Sequence, residues 1–415
     1  MGSDVLSLRQ QSEIHDEWLA ERLATVVPQV MERSGIDCWV LVAREYNEDP
    51  VVKTMLPATW ITARRRTILV FTAYGRDRIA ISRYGVGAAF PAGWSPNAEP
   101  DQWNRLATYL EEVNPQRIAT NLSSTFALAD GMSASEHNAF MDAISVELRA
   151  RVVSSDELAI GWLETRRPME KAEYPGVCAR AHRILRRALS AEVITPGTTT
   201  TADVEWWLRQ EVDLLGYRTW FQPTTSVQRR SSGHPDDFAD HPADDVIRQG
   251  DLIHIDFGIE YLGLHTDQQQ HAYVLVPGET HAPDGLRRGL AQANRLQDIV
   301  MEQFRTGVTG NAILEAATAT AQAEGLSPTI YSHPIGLHGH GAGPTIGLWD
   351  QQQGVPGAGD YPVWPDTAYS IELSVSVPIP EWDDQTIRVM LEEDALFDGD
   401  TIAFLDGRQT SLWLI

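Results

Sequence analysis

Five side chains of the types that bind divalent metal ions are spread over the last 160 or so residues, in an order that suits a two-metal site. They are Asp256, Asp267, His338, Glu372 and Glu392. The two aspartates stand eleven positions apart, and the histidine lies in a glycine-rich run. Four carboxylates and one imidazole could hold two ions roughly 3.5–4 Å apart, with a shared hydroxide formed near neutral pH. The sequence therefore predicts a two-metal centre.

The segments that carry the acids have the period-2 pattern of β-strands. Alternation from 251 to 258 places Asp256 on one strand face, and alternation from 369 to 377 places Glu372 on the polar face of another. The same period sets Glu392 on one face of a third strand, and a sheet is a rigid platform for a metal site. Each acid taken singly is better interpreted as an exposed residue, because the chain has 57 acidic residues. The complete ordered set favours the metal site.

This order resembles that of the pita-bread metallopeptidase family, which includes Xaa-Pro aminopeptidases, prolidases and methionine aminopeptidases. The resemblance implies that Asp256 holds one ion, that Asp267 and Glu392 bridge both ions, and that His338 and Glu372 complete the other. It also implies that Glu372 moves the proton of the attacking water. The likeness is strong over the C-terminal part of the chain, and the N-terminal part more weakly resembles the creatinase/prolidase N-terminal domain.

The chain departs from the family pattern where the substrate is contacted. The family reads His-Gly-x-Gly-x-x-x-His, with a substrate-binding histidine seven residues after the ligand, and counting from His338 reaches Thr345. Either Thr345 replaces that histidine, or His340 takes its role from a shifted loop. The family also has an arginine two residues before the last glutamate. Met390 stands there, and Arg388 is the nearest candidate.

Two further histidines of the family pattern have candidates in this chain. Upstream of the first aspartate, His234 and His241 are both candidates to hold the substrate, although neither spacing fits well. His234 is favoured because an acidic insertion accounts for the extra length, and the alternative is that both histidines are exposed in a loop. His333 matches a position where many relatives carry histidine near the metal. The resemblance therefore implies catalytic or substrate-facing roles for a set of four residues: Glu372, His340, His234 and His333.

Composition limits the partners and the compartment. The net charge is −24 and no Lys/Arg cluster stands out, so nucleic acid and acidic membranes are poor partners. No apolar stretch approaches 18 residues, so no transmembrane helix is expected. The start of the chain lacks a basic region followed by an apolar core, so no signal peptide is expected. The two cysteines, Cys38 and Cys178, favour a reducing compartment, and we expect a cytoplasmic protein.

The predicted fold class is α/β (α+β), with two domains as expected for 415 residues. Residues 1–165 form a mixed α/β domain, in which 15–34 has helical periodicity. Residues 166–415 form the pseudo-symmetric pita-bread domain that the resemblance implies. A faint repeat supports two similar halves, because Pro196-Gly197 and Thr306-Gly307 each lead into a helical run that ends at glycine.

The predicted activity is hydrolysis of an amide bond by a metal-bridging hydroxide. The predicted substrate is a small peptide with an Xaa-Pro bond, cleaved as by an aminopeptidase or dipeptidase. The alternative is a non-peptidase enzyme of the same fold, a lyase or C–N hydrolase that acts on a small metabolite. By resemblance the cofactor is two divalent ions, Mn²⁺ first, with Co²⁺, Zn²⁺ or Fe²⁺ also compatible with the ligands. Resemblance also implies a homodimer.

Overall fold

The computed structural model describes residues 5–154, 156–231 and 245–415. These residues form two compact units. One is Leu6–Met169, and the other is Glu170–Ile415 with Val5. Both units mix helices with sheets, as the sequence predicts. No helix in the described ranges is long and apolar enough to cross a membrane.

The N-terminal unit is built on a five-stranded sheet. The strands are β1 Cys38–Arg44, β2 Arg66–Thr72, β3 Asp77–Ser82, β4 Ile118–Thr120 and β5 Val152–Ser154. Their order in the sheet is β3-β2-β1-β4-β5, with β1 antiparallel to β2 and parallel to β4. The predicted helix at 15–34 is confirmed as part of the helix Leu8–Ser34, which is capped by Ser7 at its start and by Gly35 at its end. The helices are α1 Leu8–Ser34, α2 Pro50–Thr54, α3 Gln102–Val113, α4 Ala134–Ala143, α5 Val146–Arg149 and α6 Asp156–Glu164.

The described residues of the C-terminal unit form four longer helices and several small sheets. Its helices are α7 Pro168–Ala188, α8 Thr201–Leu215, α9 Asp284–Met301 and α10 Gly310–Ala323. The strands before α9 are β6 Thr224–Gln228, β7 Leu252–Phe257, β8 Glu260–Tyr261, β9 Leu264–His265 and β10 Gln268–Tyr273. Those after α10 are β11 Pro328–Ile330, β12 His333–Ile335, β13 Thr367–Ser370, β14 Leu373–Ile379, β15 Gln385–Leu391, β16 Asp394–Phe397, β17 Ile402–Phe404 and β18 Trp413–Leu414.

Three sheets of this unit position the predicted ligands. Their orders are β18-β10-β7-β6, β11-β14-β15 and β12-β13-β16-β17, and the two-stranded pair β8-β9 completes the set among the described residues. The two helical runs of the sequence repeat are confirmed as α8 and α10. Thr200 caps α8 and Thr309 caps α10, each accepting a backbone N–H through its side-chain oxygen.

One prediction concerns the core of the C-terminal unit. Phe304 is buried there, with its ring 4.9 Å from that of Tyr369 in an edge-on contact. Phe304→Ala leaves a cavity, and we expect it to lower the free energy of unfolding of this unit by about 3–5 kcal/mol. Leu214→Ala, at a residue that is 71% exposed, should change it by less than about 0.5 kcal/mol. Chemical denaturation of both variants tests this, and equal effects would contradict the packing.

Candidate metal centre

The two predicted aspartates lie on adjacent strands of one sheet. Asp256 is the fifth residue of β7, and Asp267 directly precedes β10. The antiparallel register pairs Gln269 with Asp256, so Asp267 lies two residues further along the same face of β10. Long-range strand pairing thus brings together two carboxylates that the sequence separates by a turn.

The two predicted glutamates lie where the chain passes from one sheet to another. Glu372 stands between β13 and β14, and Glu392 stands between β15 and β16. The prediction of one continuous strand from 369 to 377 is therefore wrong, because the chain leaves β13 before Glu372 and enters another sheet at Leu373. Both glutamates are nearly inaccessible to solvent.

The imidazole that reaches these carboxylates belongs to His333, on β12. Its Nε2 lies 3.4 Å from Glu392 Oε1, 3.7 Å from Asp267 Oδ2 and 4.0 Å from Glu372 Oε2. Its Nδ1 lies 3.0 Å from the carbonyl oxygen of Pro334, which can only accept a hydrogen bond. Nδ1 therefore carries a proton, and Nε2 is the ring nitrogen that faces the carboxylates and can bind a cation.

Six residues share this cluster. In the described ranges there are three groups of residues whose potential ligand atoms, within each group, all lie within 4.8 Å of one another. They are Asp256 with Asp267 and Glu392, His333 with Glu372 and Glu392, and Asp267 with His333 and His340. His338 is in none of these groups, and its ring lies instead over that of His265, 6.3 Å away. The structure thus brings four of the five predicted metal ligands together, with His333 rather than His338 as the imidazole.

The change of histidine also resolves the departure around Thr345. Seven residues after His333 is His340, so the family spacing is met when counting starts at His333. The ring of His340 lies 4.8 Å from that of His333, edge-on. Thr345 is outside the cluster, and its backbone N–H donates to the carbonyl of Ala358. The sequence contains this spacing, but the glycine-rich run has histidines at both 333 and 338, and either can be aligned with the family's ligand.

His340 keeps an edge open to solvent although nearby groups crowd its ring. Desolvation, together with the adjacent His333, lowers the pKa of His340 to about 4. The imidazole is therefore neutral at pH 7 in the metal-free protein, and it can donate or accept a hydrogen bond.

The donor set fits divalent cations. Buried Asp256 Oδ1, Asp267 Oδ1 and His333 Nε2 each have no hydrogen-bond partner, which is costly unless a ligand occupies them. Burial and the charge of nearby Glu392 raise the pKa of Asp256, Asp267 and Glu372 well above the ordinary value. Carboxylates crowded in this way repel one another when ionised, and divalent cations remove that penalty.

A second prediction follows for the metal-free protein. Because the folded-state pKa values of these carboxyls are raised, the folded chain binds more protons than the unfolded chain above about pH 4. The stability that these carboxyls contribute is then lost as the pH rises, so we expect Mn²⁺ to raise the melting temperature of the chelator-treated protein more at pH 7 than at pH 5.

Calorimetry of the chelated and the loaded protein at both pH values tests this. Asp49, whose pKa burial raises to about 6, lies in the N-terminal unit and titrates in both samples, so its contribution cancels in the comparison. An increase in melting temperature on loading that is the same at pH 5 and pH 7 would contradict the expectation.

The residue after Glu392, Glu393, forms a buried ion pair with a histidine. His182 on α7 contacts Glu393 through Nε2, at 2.6 Å, and Asp406 through Nδ1, at 2.8 Å. Burial alone would lower the pKa of His182, but the two carboxylates outweigh it and raise the pKa to about 9. The imidazolium thus neutralises Glu393 and ties the segment after Glu392 to α7.

Two predicted substrate contacts, the upstream histidine and the arginine near Glu392, are not tested by the structure. His234 and His241 lie outside the described residues, so the choice between them stays a prediction. Arg388 lies on β15 opposite Ser376 and is half-buried. Its role in place of an arginine at Met390 is likewise a prediction.

Comparisons with known proteins bear on the fold and the family. The chain is similar in structure to an X-Pro aminopeptidase from Thermotoga maritima, with 18% identity, a TM-score of 0.66, and coverage of 93% of this chain and 99% of that one. It is also similar to an Xaa-Pro dipeptidase from Bacillus anthracis, with 17% identity, a TM-score of 0.61, and coverage of 96% and 99%. A dipeptidase from Pyrococcus horikoshii gives 17% identity, a TM-score of 0.63, and coverage of 95% and 100%.

These likenesses confirm the predicted mixed α/β, pita-bread fold along nearly the whole chain. No curated protein was found that matches the sequence. The sequence model of metallopeptidase family M24 matches residues 176–397, which is more than half of the 415 residues and contains every member of the metal cluster. The chain belongs to metallopeptidase family M24.

Proposed function

We propose that this M24 metallopeptidase cleaves the Xaa-Pro bond of small peptides, as an aminopeptidase or dipeptidase. The observation that carries the proposal is the cluster of four carboxylates and His333, with buried ligand atoms that have no hydrogen-bond partner. The substrate class is supported by the similar proteins from Thermotoga maritima and Bacillus anthracis, whose names specify X-Pro and Xaa-Pro substrates.

The proposed roles follow the placement of each side chain. Asp256 would hold one ion, His333 and Glu372 would hold the other, and Asp267 and Glu392 would contribute to both. When bound, the ions lower the pKa of a water towards neutrality and polarise the amide carbonyl. Glu372 is the proposed proton carrier, because one of its oxygens is held by a hydrogen bond while Oε2 faces the cluster. A proton taken up at that oxygen can be passed to the leaving nitrogen.

His340 and its aromatic neighbours are the proposed substrate contacts. Its ring lies 5.3 Å from that of Trp220 and 6.3 Å from that of Tyr331. Trp220 is fixed by its Nε1–H, which donates to the carbonyl of Thr266 at 3.0 Å. Flat aromatic faces next to a polar imidazole suit a substrate with an apolar ring beside the amide that is cleaved, and the pyrrolidine of proline is such a ring.

The proposal extends to the metal, the oligomeric state, the partners and the location of the protein. We infer that the ions are Mn²⁺, that the protein is a homodimer, and that nucleic acid and membranes are not its partners. A cytoplasmic location is supported by Cys38 and Cys178, which are buried and not disulfide-bonded. His234 remains the proposed upstream substrate histidine.

Two measurements test the function in order. Elemental analysis should find two divalent ions per chain, and the Mn²⁺-loaded protein should then hydrolyse Xaa-Pro dipeptides or longer Xaa-Pro peptides faster than matched Xaa-Ala peptides. Loaded protein that cleaves no proline peptide would overturn the substrate assignment. A lyase or C–N hydrolase acting on a small metabolite would then be the better interpretation.

A further inference from the structure

Gln269 occupies the centre of the metal-binding face without being one of the predicted ligands. On one side it pairs across the sheet with Asp256. On the other side it forms a bridge with Glu392, in which the Gln269 N–H donates to the Glu392 carbonyl at 2.9 Å. Its side chain is buried and therefore points among the ligands themselves.

The side-chain amide of Gln269 contacts both glutamates. Nε2 donates to Glu372 Oε1 at 2.8 Å and to Glu392 Oε2 at 2.7 Å. An amide nitrogen has two hydrogens, so both are used, one for each carboxylate. The two glutamates come from different junctions between sheets, and this single amide connects them.

The two glutamates fix which end of the amide faces them. In the observed orientation Nε2 donates to both carboxylates, whereas a rotated amide would set Oε1 against two carboxylate oxygens and leave these buried acceptors without a donor. On the other side of the amide, His254 Nε2 lies 2.9 Å from Gln269 Oε1, an atom that can only accept, so the imidazole N–H donates.

We propose that Gln269, held by His254, is a positioning residue that sets the spacing of Glu372 and Glu392 so that the cluster takes up two ions rather than one. An amide suits this role because it donates two hydrogen bonds without charge. A lysine or arginine there would compete with the cations, and a glutamate would add a fifth negative charge. The inference rests on the proposed metal centre and does not depend on which bond is cleaved.

The test uses Gln269→Met, which keeps the approximate size of the side chain and removes its hydrogen bonds to Glu372, Glu392 and His254. Mn²⁺ binding is measured by calorimetry, and the pairing of the two ions by electron paramagnetic resonance. The wild-type protein with two equivalents of Mn²⁺ should show the spectrum of an exchange-coupled pair. We expect Gln269→Met to lower affinity for at least one ion by about 10–100-fold and to show the six-line signal of isolated Mn²⁺.

Gln270→Met is the matched control. Gln270 is the next residue of β10, is buried on the opposite face, and donates to Glu393 Oε1 rather than to a proposed ligand. This variant should keep the coupled pair and the wild-type affinity. Gln269→Asn is the second variant, because its shorter side chain keeps the amide but cannot span both glutamates, and it provides the test if Gln269→Met does not fold.

The role of His254 is tested with His254→Phe. This variant should also lower the affinity for the second ion. Its effect should not add to that of Gln269→Met, because both changes disrupt the same chain of hydrogen bonds from His254 through Gln269 to the glutamates. A folded Gln269→Met or Gln269→Asn protein that binds two coupled ions with wild-type affinity overturns the inference. A wild-type protein that never shows a coupled pair overturns it as well. Normal coupled binding without turnover of proline peptides would instead count only against the proposed substrate.

Discussion

Asp267→Asn is expected to lose both divalent ions together and, with them, peptide turnover. Asp267 lies in two of the three donor groups, next to Asp256 and Glu392 in one and to His333 in the other. Its Oδ1 is buried with no hydrogen-bond partner, and a bound cation would supply the partner that this atom lacks. Losing a residue that only contacts the ligands typically lowers metal affinity by about 10–100-fold. Removing the charge of Asp267 itself should lower metal affinity by more than that.

Elemental analysis after dialysis, together with turnover of an Xaa-Pro peptide, measures this result. Asp383→Asn makes the same chemical change at an acid whose side chain is 79% exposed, and it should keep both ions and full activity. Two tightly bound ions in folded Asp267→Asn would show that this aspartate does not lie between them. Loss of a single ion would move Asp267 to one end of the site.

His340→Ala is expected to reduce turnover by about 10²–10³-fold while both ions stay bound. The ring of His340 lies beside His333 and Trp220 at the open edge of the cluster, where a substrate carbonyl can reach it. Thr345→Ala and His338→Ala are the matched controls. From the sequence, Thr345 was the alternative to His340 and His338 was the predicted metal ligand, and neither residue belongs to the donor groups found in the described part of the chain. Both should keep most of the activity.

His333→Ala completes this series, because it should lose at least one ion. Steady-state kinetics and metal content are measured for the four variants together. If His338→Ala loses a metal ion and His333→Ala does not, the imidazole ligand is His338, as the sequence predicted. If His340→Ala loses an ion, His340 is itself a ligand, in keeping with its place in a donor group with Asp267.

Local patterns in the sequence identified the acidic residues of the site. Asp256 lies on a short strand with clear alternation, and this period-2 signal is local, so it survives without tertiary information. The order of the four acids along the chain also indicated the family, which the match to M24 confirmed. Their roles as ligands stay predictions until metal is measured.

The sequence did not show where strands end inside buried segments. Residues 369–377 alternate without a break, yet the chain leaves one sheet at Ser370 and joins another at Leu373. Alternation reports only that one face is buried, and it cannot report which neighbouring strand is paired. Glu372 reaches the cluster because of that change of sheet.

Tertiary structure alone decided which histidine faces the acids. In the glycine-rich run, His333, His338 and His340 lie close together in sequence, so spacing permits more than one alignment. The pairing of β12 with β13 sets His333 opposite Ser370, whose hydroxyl donates to Glu392 at 2.6 Å. That contact joins residues far apart in sequence, and no local pattern encodes it.

The same reason explains why Gln269 was missed. Three consecutive glutamines from 268 to 270 carry no ligand signal, and their side chains alternate between the faces of β10. Only the register with β7 and the bridge to Glu392 show that the middle one faces the metal site. The sequence by itself determined which acids this protein offers to a metal, through local periodicity and order. The pairing of distant strands decided how those acids are held and which imidazole joins them.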